Sequence, residues 1–357
     1  MDTSSLKTAL ESSKSSNQQL DTILEKIDIA RQSAKTAEDI NRIASEIEHF
    51  AQTGDFQYKH THLLIFFIIS ALVALIFWVT GQADIIRDDT STISSLVALA
   101  TGLFVFAIGF SQNRNKVLKV SKALLLKSTL IDNNLESAAF NGSLLWKELK
   151  QDFPDFRRGD ESQYIDELYE GRFDGEVIQF KYRLYSFHYV DVETRTYTEY
   201  NSSSELHETK TETVRHTRYR YGILMDFPCG SDFCLSTTGL KPYKFKWKTT
   251  NRLLNRKLAM TASNELTLAK LLQPAVVLKF EQSLLGFKQP CLQVQGQGRL
   301  CLSVSSNRIL PSTHSISLSL GNKFIEVLRG DKQNNELNEL VSNIAVITAF
   351  NTNKYSA

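Results

Sequence analysis

Two apolar runs, Leu63 to Val79 (LLIFFIISALVALIFWV) and Ile93 to Phe110 (ISSLVALATGLFVFAIGF), constrain this 357-residue chain more than any other feature. The first holds no charge, and the second has only Ser and Thr as polar members. At 1.5 Å per residue each covers roughly 26 Å of a hydrocarbon layer about 30 Å thick, so each can span once a flanking turn contributes. The competing reading is a buried core helix. Two tandem helices apolar on every face rarely occur in a soluble domain, so the runs predict a membrane protein. The first run also begins too far into the chain, and without a small-residue exit, to be a cleaved signal peptide.

The loop 81–92 carries one basic residue, Arg87, whereas Arg114, Lys116, Lys119, Lys122 and Lys127 follow the second run. The positive-inside rule places that basic segment in the cytoplasm. The expectation is a multi-pass protein of the bacterial inner membrane, spanning at 63–80 and 93–110. Both termini would be cytoplasmic, and the Asp84/Asp88/Asp89 loop would lie outside. In the second run Ser95, Gly102 and Gly109 recur every seven residues, with Ala98 four before Gly102; Ser70 and Ala74 repeat the spacing in the first. Small residues let backbones approach, so the spans are expected to pack on each other or on a second copy. Ordinary membrane composition, also rich in Gly and Ala, is the plain alternative.

The chain then divides into a helical segment 1–62, a transmembrane hairpin 63–110, a helical stalk 111–154 and a cytoplasmic domain 155–357. Only the last is long enough to bury a self-sufficient core. From Leu6 to Phe50 there is no Pro or Gly, and Leu20, Ile23, Ile27, Ala30, Ala34 and Ala37 form a coiled-coil-like stripe. The stripe changes phase at Ile40, Ile43 and Ile47, where Thr36 and Asp39 form a capping pattern, so two helices or one stuttered helix are expected. The Ser-rich start up to Ser16 is expected to fray. Beyond the second span an apolar pattern from Val117 to Leu149 predicts a helix reaching Phe153, its face packed on the N-terminal helix or laid against anionic headgroups.

In the last domain, alternating stretches at 177–200 and 207–227, joined by Asn201 to Leu206, predict one long antiparallel hairpin with a polar outer half. Pairs drawn from Glu193, Glu199, Arg215 and Arg218 would stabilise it modestly. PYKFKWK predicts a strand with Tyr243, Phe245 and Trp247 on one face. Asn251 to Met260 and then Ala262 to Leu285, broken near Pro274, read as helices. Cys291 to Gln295 and Arg299 to Ser305 read as a second hairpin, Ser315 to Leu320 as a strand, and Asn334 to Phe350 as an amphipathic helix. The predicted class is α+β: coiled-coil-like helices, a two-helix transmembrane hairpin, and a cytoplasmic domain of antiparallel sheet plus helices.

Chemistry is less legible. There is no phosphate loop, GxGxxG, HExxH or GxSxG, and no catalytic residue, metal site or cofactor is predicted. Cys229, Cys234, Cys291 and Cys301 form no CxxC pair and are expected to be reduced, partly buried thiols. His60 and His62 flank a span, where an interfacial ring explains them better than zinc; His188 and His216 are expected to be neighbours on the hairpin. Lys244, Lys246 and Lys248, with Arg252, Arg256 and Lys257, form the densest basic cluster. They read first as a guarded edge strand, next as a contact for lipid or a partner, and last as one for nucleic acid. With 41 basic against 39 acidic residues, bulk charge does not favour nucleic acid either.

The double span, together with YEGRFDGEVIQF at Tyr169–Phe180, SNELTLAKLLQPAVVLKF at Ser263–Phe280 and QGRLCLSVS at Gln297–Ser305, resembles the bacterial domain-of-unknown-function family 3137. Its members pair two spans with a cytoplasmic α+β domain, often beside LemA-type genes. This chain departs from the pattern in its polar hairpin around Asn201 and in lacking an aromatic and Lys-rich motif near Phe227. The family has no established activity, so the resemblance implies architecture and no chemistry. The expected function is a membrane-anchored, non-enzymatic scaffold or interaction module that meets the bilayer and either a second copy or a partner membrane protein. The alternative is an oligomerising membrane effector of stress or phage-defence type.

Overall fold

A computed structural model describes residues 3–82, 88–201, 206–227, 232–266, 269, 272–295, 298–312 and 316–355. The chain forms two compact units, one of residues 1–132 with 313–332, the other of 133–312 with 333–357.

The first unit is helical. α1 (Thr3–Ser33) and α2 (Ala37–Thr53) are separate helices. The break is a capping box, in which Thr36 Oγ1 accepts from Asp39 N at 3.3 Å while the Asp39 carboxylate accepts from Thr36 N at 3.1 Å. Such a cap is worth about 1 kcal/mol, enough to fix where the stripe changes phase. The start does not fray as expected. α1 runs from Thr3, and Ser13 Oγ donates to Lys59 O, before α3, at 3.4 Å; Asn17, just past the Ser-rich stretch, donates to Lys59 O at 3.0 Å and accepts from Lys59 N at 2.8 Å.

α3 (Thr61–Gln82) and α4 (Asp88–Asp132) are long and apolar enough to cross a membrane. The second half of α4 shares one core with the N-terminal helices: Val117, Leu124 and Leu125 pack with Leu20, Leu24, Ile27, Ile43 and Ile47. Of the two expectations for this face, packing on the N-terminal helix is the one observed. Leu318, Phe324, Ile325 and Leu328 close the same core from a 3-10 turn at Leu318–Leu320 and from the helix Asn322–Arg329. The strand expected at 315–320 is therefore a turn at its described residues. Ser317 Oγ accepts from Ser319 N, and Leu318 N donates to Ser121 Oγ at 2.9 Å, so the backbone is satisfied without a ladder.

The helix expected to reach Phe153 ends at Asp132. Asn134 adopts φ 53°, the left-handed conformation that stops helices, and β1 (Leu135–Ser137) follows. Here the second unit begins. α5 (Gly142–Asp152) leads into β2 (Glu161–Asp174), β3 (Gln179–Asn201) and β4 (Leu206–Asp226). β5 (Phe233–Ser236), β6 (Phe245–Trp247), α6 (Arg252–Lys257), β7 (Ala259–Ala262) and α7 (Pro274–Leu284) come next. After them come β8 (Cys291–Gln295) and β9 (Arg299–Val304). The helix Asn322–Arg329 of the first unit is α8, and α9 (Asn335–Tyr355) ends the chain.

Among the described residues the strands form one antiparallel sheet in the order β1-β2-β3-β4-β9-β8-β5-β7-β6. One face is covered by Leu149, Phe153 and Phe156 of α5 and the turn after it, packed on Ile165, Tyr185, Phe187 and Tyr189. The helix expected over Asn251–Met260 stops at Lys257, because Met260 and its neighbours pair with both β5 and β6. Part of the stretch 263–271 lies outside the described residues, and α7 starts at Pro274, where a missing N–H costs nothing.

Candidate functional site

β3 and β4 outrun the rest of the sheet. β2 leaves β3 at Val190 and β9 leaves β4 at Tyr221, yet the β3–β4 ladder continues through eleven pairs from Asp191↔His216 to Asn201↔Leu206. At about 3.3 Å per residue this is a two-stranded arm roughly 35 Å long. Residues 193–199 are all exposed, and the described arm side chains are mostly Thr, Glu, Arg and Lys. An isolated hairpin is marginal in water, so the arm depends on its root. There Arg215 Nε lies 2.9 Å from Glu161, Arg218 Nε lies 3.3 Å from Asp191, and Val192 N donates to Asp160 at 2.8 Å. Farther out, Lys210 pairs with Glu199 across the strands, and Glu193 meets Arg195 at 3.0 Å and His216 at 3.4 Å. The pairs differ from those expected because Glu161 and Asp191 take the two arginines. His188 and His216 are also not opposite one another: His188 faces Tyr219, and its ring stacks on Tyr164 with centroids 4.5 Å apart.

The last β4 residue before the β9 ladder is Arg220, fully buried and held by four side-chain hydrogen bonds. Nε donates to Asp155 Oδ2 at 3.1 Å, Nη1 to Gln289 O and Ser305 Oγ, and Nη2 to Ser303 Oγ. Asp155 also accepts from Ser303 Oγ at 2.5 Å and Arg158 Nε at 2.7 Å, its other bonds on the same node. Burial alone raises the Asp155 carboxyl, but Arg220, Arg158 and Ser303 outweigh it and hold it below the carboxylate's ordinary value. An ionised, buried carboxylate that accepts three such bonds clamps, and it has no proton to give. Two residues on, Gly222 has no room for a side chain, since a Cβ there would meet Leu302 O at 2.2 Å and the Tyr185 hydroxyl at 2.5 Å. Neither Asp155 nor Arg220 stood out in the sequence, and only their shared position under the arm brings them together.

Cys234, Cys291 and Cys301 are buried free thiols near this node; Cys229 lies outside the described residues. Hydrogen bonding with Cys291, and burial, push the Cys234 thiol up, and burial pushes up Cys301, so neither offers a thiolate. Among the described residues no group of His, Cys, Asp and Glu is arranged to hold a metal ion.

The basic cluster sits at the far end of the sheet. Lys246 is in β6, the terminal strand, with Lys244 and Lys248 at its ends and Arg252, Arg256 and Lys257 in the helix that follows; all six are exposed. The small residues of α3 and α4 face inward between the two helices. Ala74 is buried, Ser95 and Ala98 are half-buried, and a Cβ on Gly102 would lie 2.6 Å from Ser70 Cβ. A Cβ on Gly109 would lie 2.6 Å from Leu63. No family model matches the chain, and no curated protein or solved structure was found to be similar to it.

Proposed function

We propose that this chain is a membrane-anchored, non-enzymatic interaction module, held in the bacterial inner membrane by α3 and α4 with both termini cytoplasmic, and that the β3–β4 arm is its partner-binding element. The observation that carries this reading is the arm. Eleven ladder pairs extend past every neighbouring strand among the described residues, leaving backbone N–H and C=O groups on both outer edges open to strand addition by a partner protein. The membrane placement is supported by the outer surfaces of α3 and α4, where Ile76, Leu96 and Phe104 are more than 60 % exposed; that much contiguous apolar surface is unstable in water. An oligomerising effector has less support, because Ser70 and Leu63 already occupy the space at Gly102 and Gly109.

Deletion of residues 194–213 tests the proposal. Crosslinking pull-down from membranes should lose its captured protein while the thermal unfolding of the remaining chain is unchanged; equal capture by the deleted form would rule the arm out as the binding surface.

A further inference from the structure

At the end of the helical hairpin where the chain enters α3 and the apolar run of α4 ends, the first unit contains a cavity of about 220 Å³. Its floor is apolar: the His60 ring lies against Phe110 with centroids 4.9 Å apart, beside Phe56. Burial lowers the pKa of His60, so this wall is neutral. Its rim is polar, made by Asn113 and Arg114 one turn beyond Phe110 and by the hydroxyls of Ser317 and Ser319. Among the described residues, neither the Asn113 amide nor the Arg114 guanidinium has a protein partner. Among the described residues no carboxylate lines the cavity. The nearby Asp21 is already engaged by the Tyr58 hydroxyl and by Lys116 at 3.8 Å. From Thr90 to Ile131 the sequence has no acidic residue, so the acids of this helix stand only at its two ends, far from Arg114.

Depth decides which anion such a rim meets. Arg114 lies four residues, about 6 Å along the helix, past the last apolar residue of the run, which is headgroup level when that run fills the hydrocarbon. A fork of guanidinium donors with the Asn113 amide and the Ser317 hydroxyl beside it, the Ser319 hydroxyl already donating to Ser317 Oγ, lies over an apolar floor and matches a phosphate oxygen set attached to a glycerol backbone and acyl chain. We propose that this cavity binds the phosphate headgroup of an anionic phospholipid, with Arg114 as its principal ligand. The proposal rests on the membrane placement given above.

The test uses the full chain in neutral detergent, titrated with phosphatidylglycerol, phosphatidylcholine or inorganic phosphate and followed by thermal unfolding. Phosphatidylglycerol should raise the unfolding temperature at concentrations where phosphatidylcholine and phosphate do not. Arg114→Ala should raise the half-saturating lipid concentration roughly five- to tenfold, as expected for one basic residue near a membrane surface. Asn113→Ala should raise it less, and Lys122→Ala, on the same helix but outside the cavity, should leave it unchanged. Equal losses in Arg114→Ala and Lys122→Ala would reduce the effect to diffuse charge and overturn the site. An equal response to inorganic phosphate would overturn the lipid assignment. Flotation on phosphatidylcholine vesicles separates the two readings: a chain that fails to float overturns the membrane placement, whereas one that floats without distinguishing the lipids overturns only the cavity.

Discussion

Arg220 Nε lies 3.1 Å from Asp155 Oδ2, with both side chains 2 % exposed, at the point where β4 leaves the sheet to become the arm. Removing one member strands the other charge in the interior, which costs about 3–5 kcal/mol, while removing both costs much less. Arg220→Met should therefore lower the stability of the sheet unit by that amount in urea unfolding, and Asp155→Asn in the same chain should recover a large part of it. Additive losses in the double variant would show that the two side chains act independently.

The arm and the exposed ion pairs at its root should loosen in acid before the buried Asp155–Arg220 node does. The Arg195 guanidinium holds the Glu193 carboxyl below its ordinary value of 4.5, and Arg215 does the same for Glu161. A carboxyl lowered on folding contributes stability that is complete above its unfolded value and disappears as the pH falls through the folded one. These pairs are exposed and screened, so salt should mimic acid there and have little effect on the buried node. Hydrogen exchange over residues 193–199, corrected for intrinsic rate, should speed up below pH 4.5 and in high salt, while residues 221–225 stay protected.

Gly102 and Ser70 should behave as a coupled pair. Gly102→Ala places a methyl group within 2.6 Å of Ser70 Cβ, and Ser70→Gly makes room for it. A double-mutant cycle on thermal stability in detergent should give a favourable interaction energy of about 0.5–3 kcal/mol. The oligomeric state of both single variants should match that of the parent chain. A change in oligomeric state with no coupling would place Gly102 at a contact between copies.

The lysines of the edge strand should matter for solubility. Replacing Lys244, Lys246 and Lys248 by Thr leaves β6 in place but removes the charge that discourages edge pairing. Self-association on size exclusion should rise while flotation with anionic vesicles is unchanged. A fall in flotation with no self-association would assign these residues to the membrane surface.

Legibility in the sequence followed physical range. The break between α1 and α2 was readable because a capping box is local, and the arm because period-two alternation persists over many residues. β2 was missed: register shifts between Glu161 and Tyr164 and between Ile165 and Glu167 interrupt the alternation, and its charged residues imitate a helix. The small residues of the spans were readable as a packing face, but spacing alone does not say what fills it. Asp155 and Arg220 stand 65 positions apart, and no periodicity links a turn to a strand at that distance.

The first helical unit is not contiguous in sequence, and this sets an order of events during synthesis. Leu318 completes a core begun around Leu20 and donates to Ser121, 197 residues earlier. At ribosomal speeds of about 5–20 residues per second, the apolar face of the second half of α4 waits roughly 10–40 s for its last partner, and those of α1 and α2 wait longer. During that interval the two apolar helices have already emerged and the whole sheet is being made. A nascent chain stalled before residue 316 therefore carries both long apolar helices and an unsealed helical cluster, the state most in need of a chaperone.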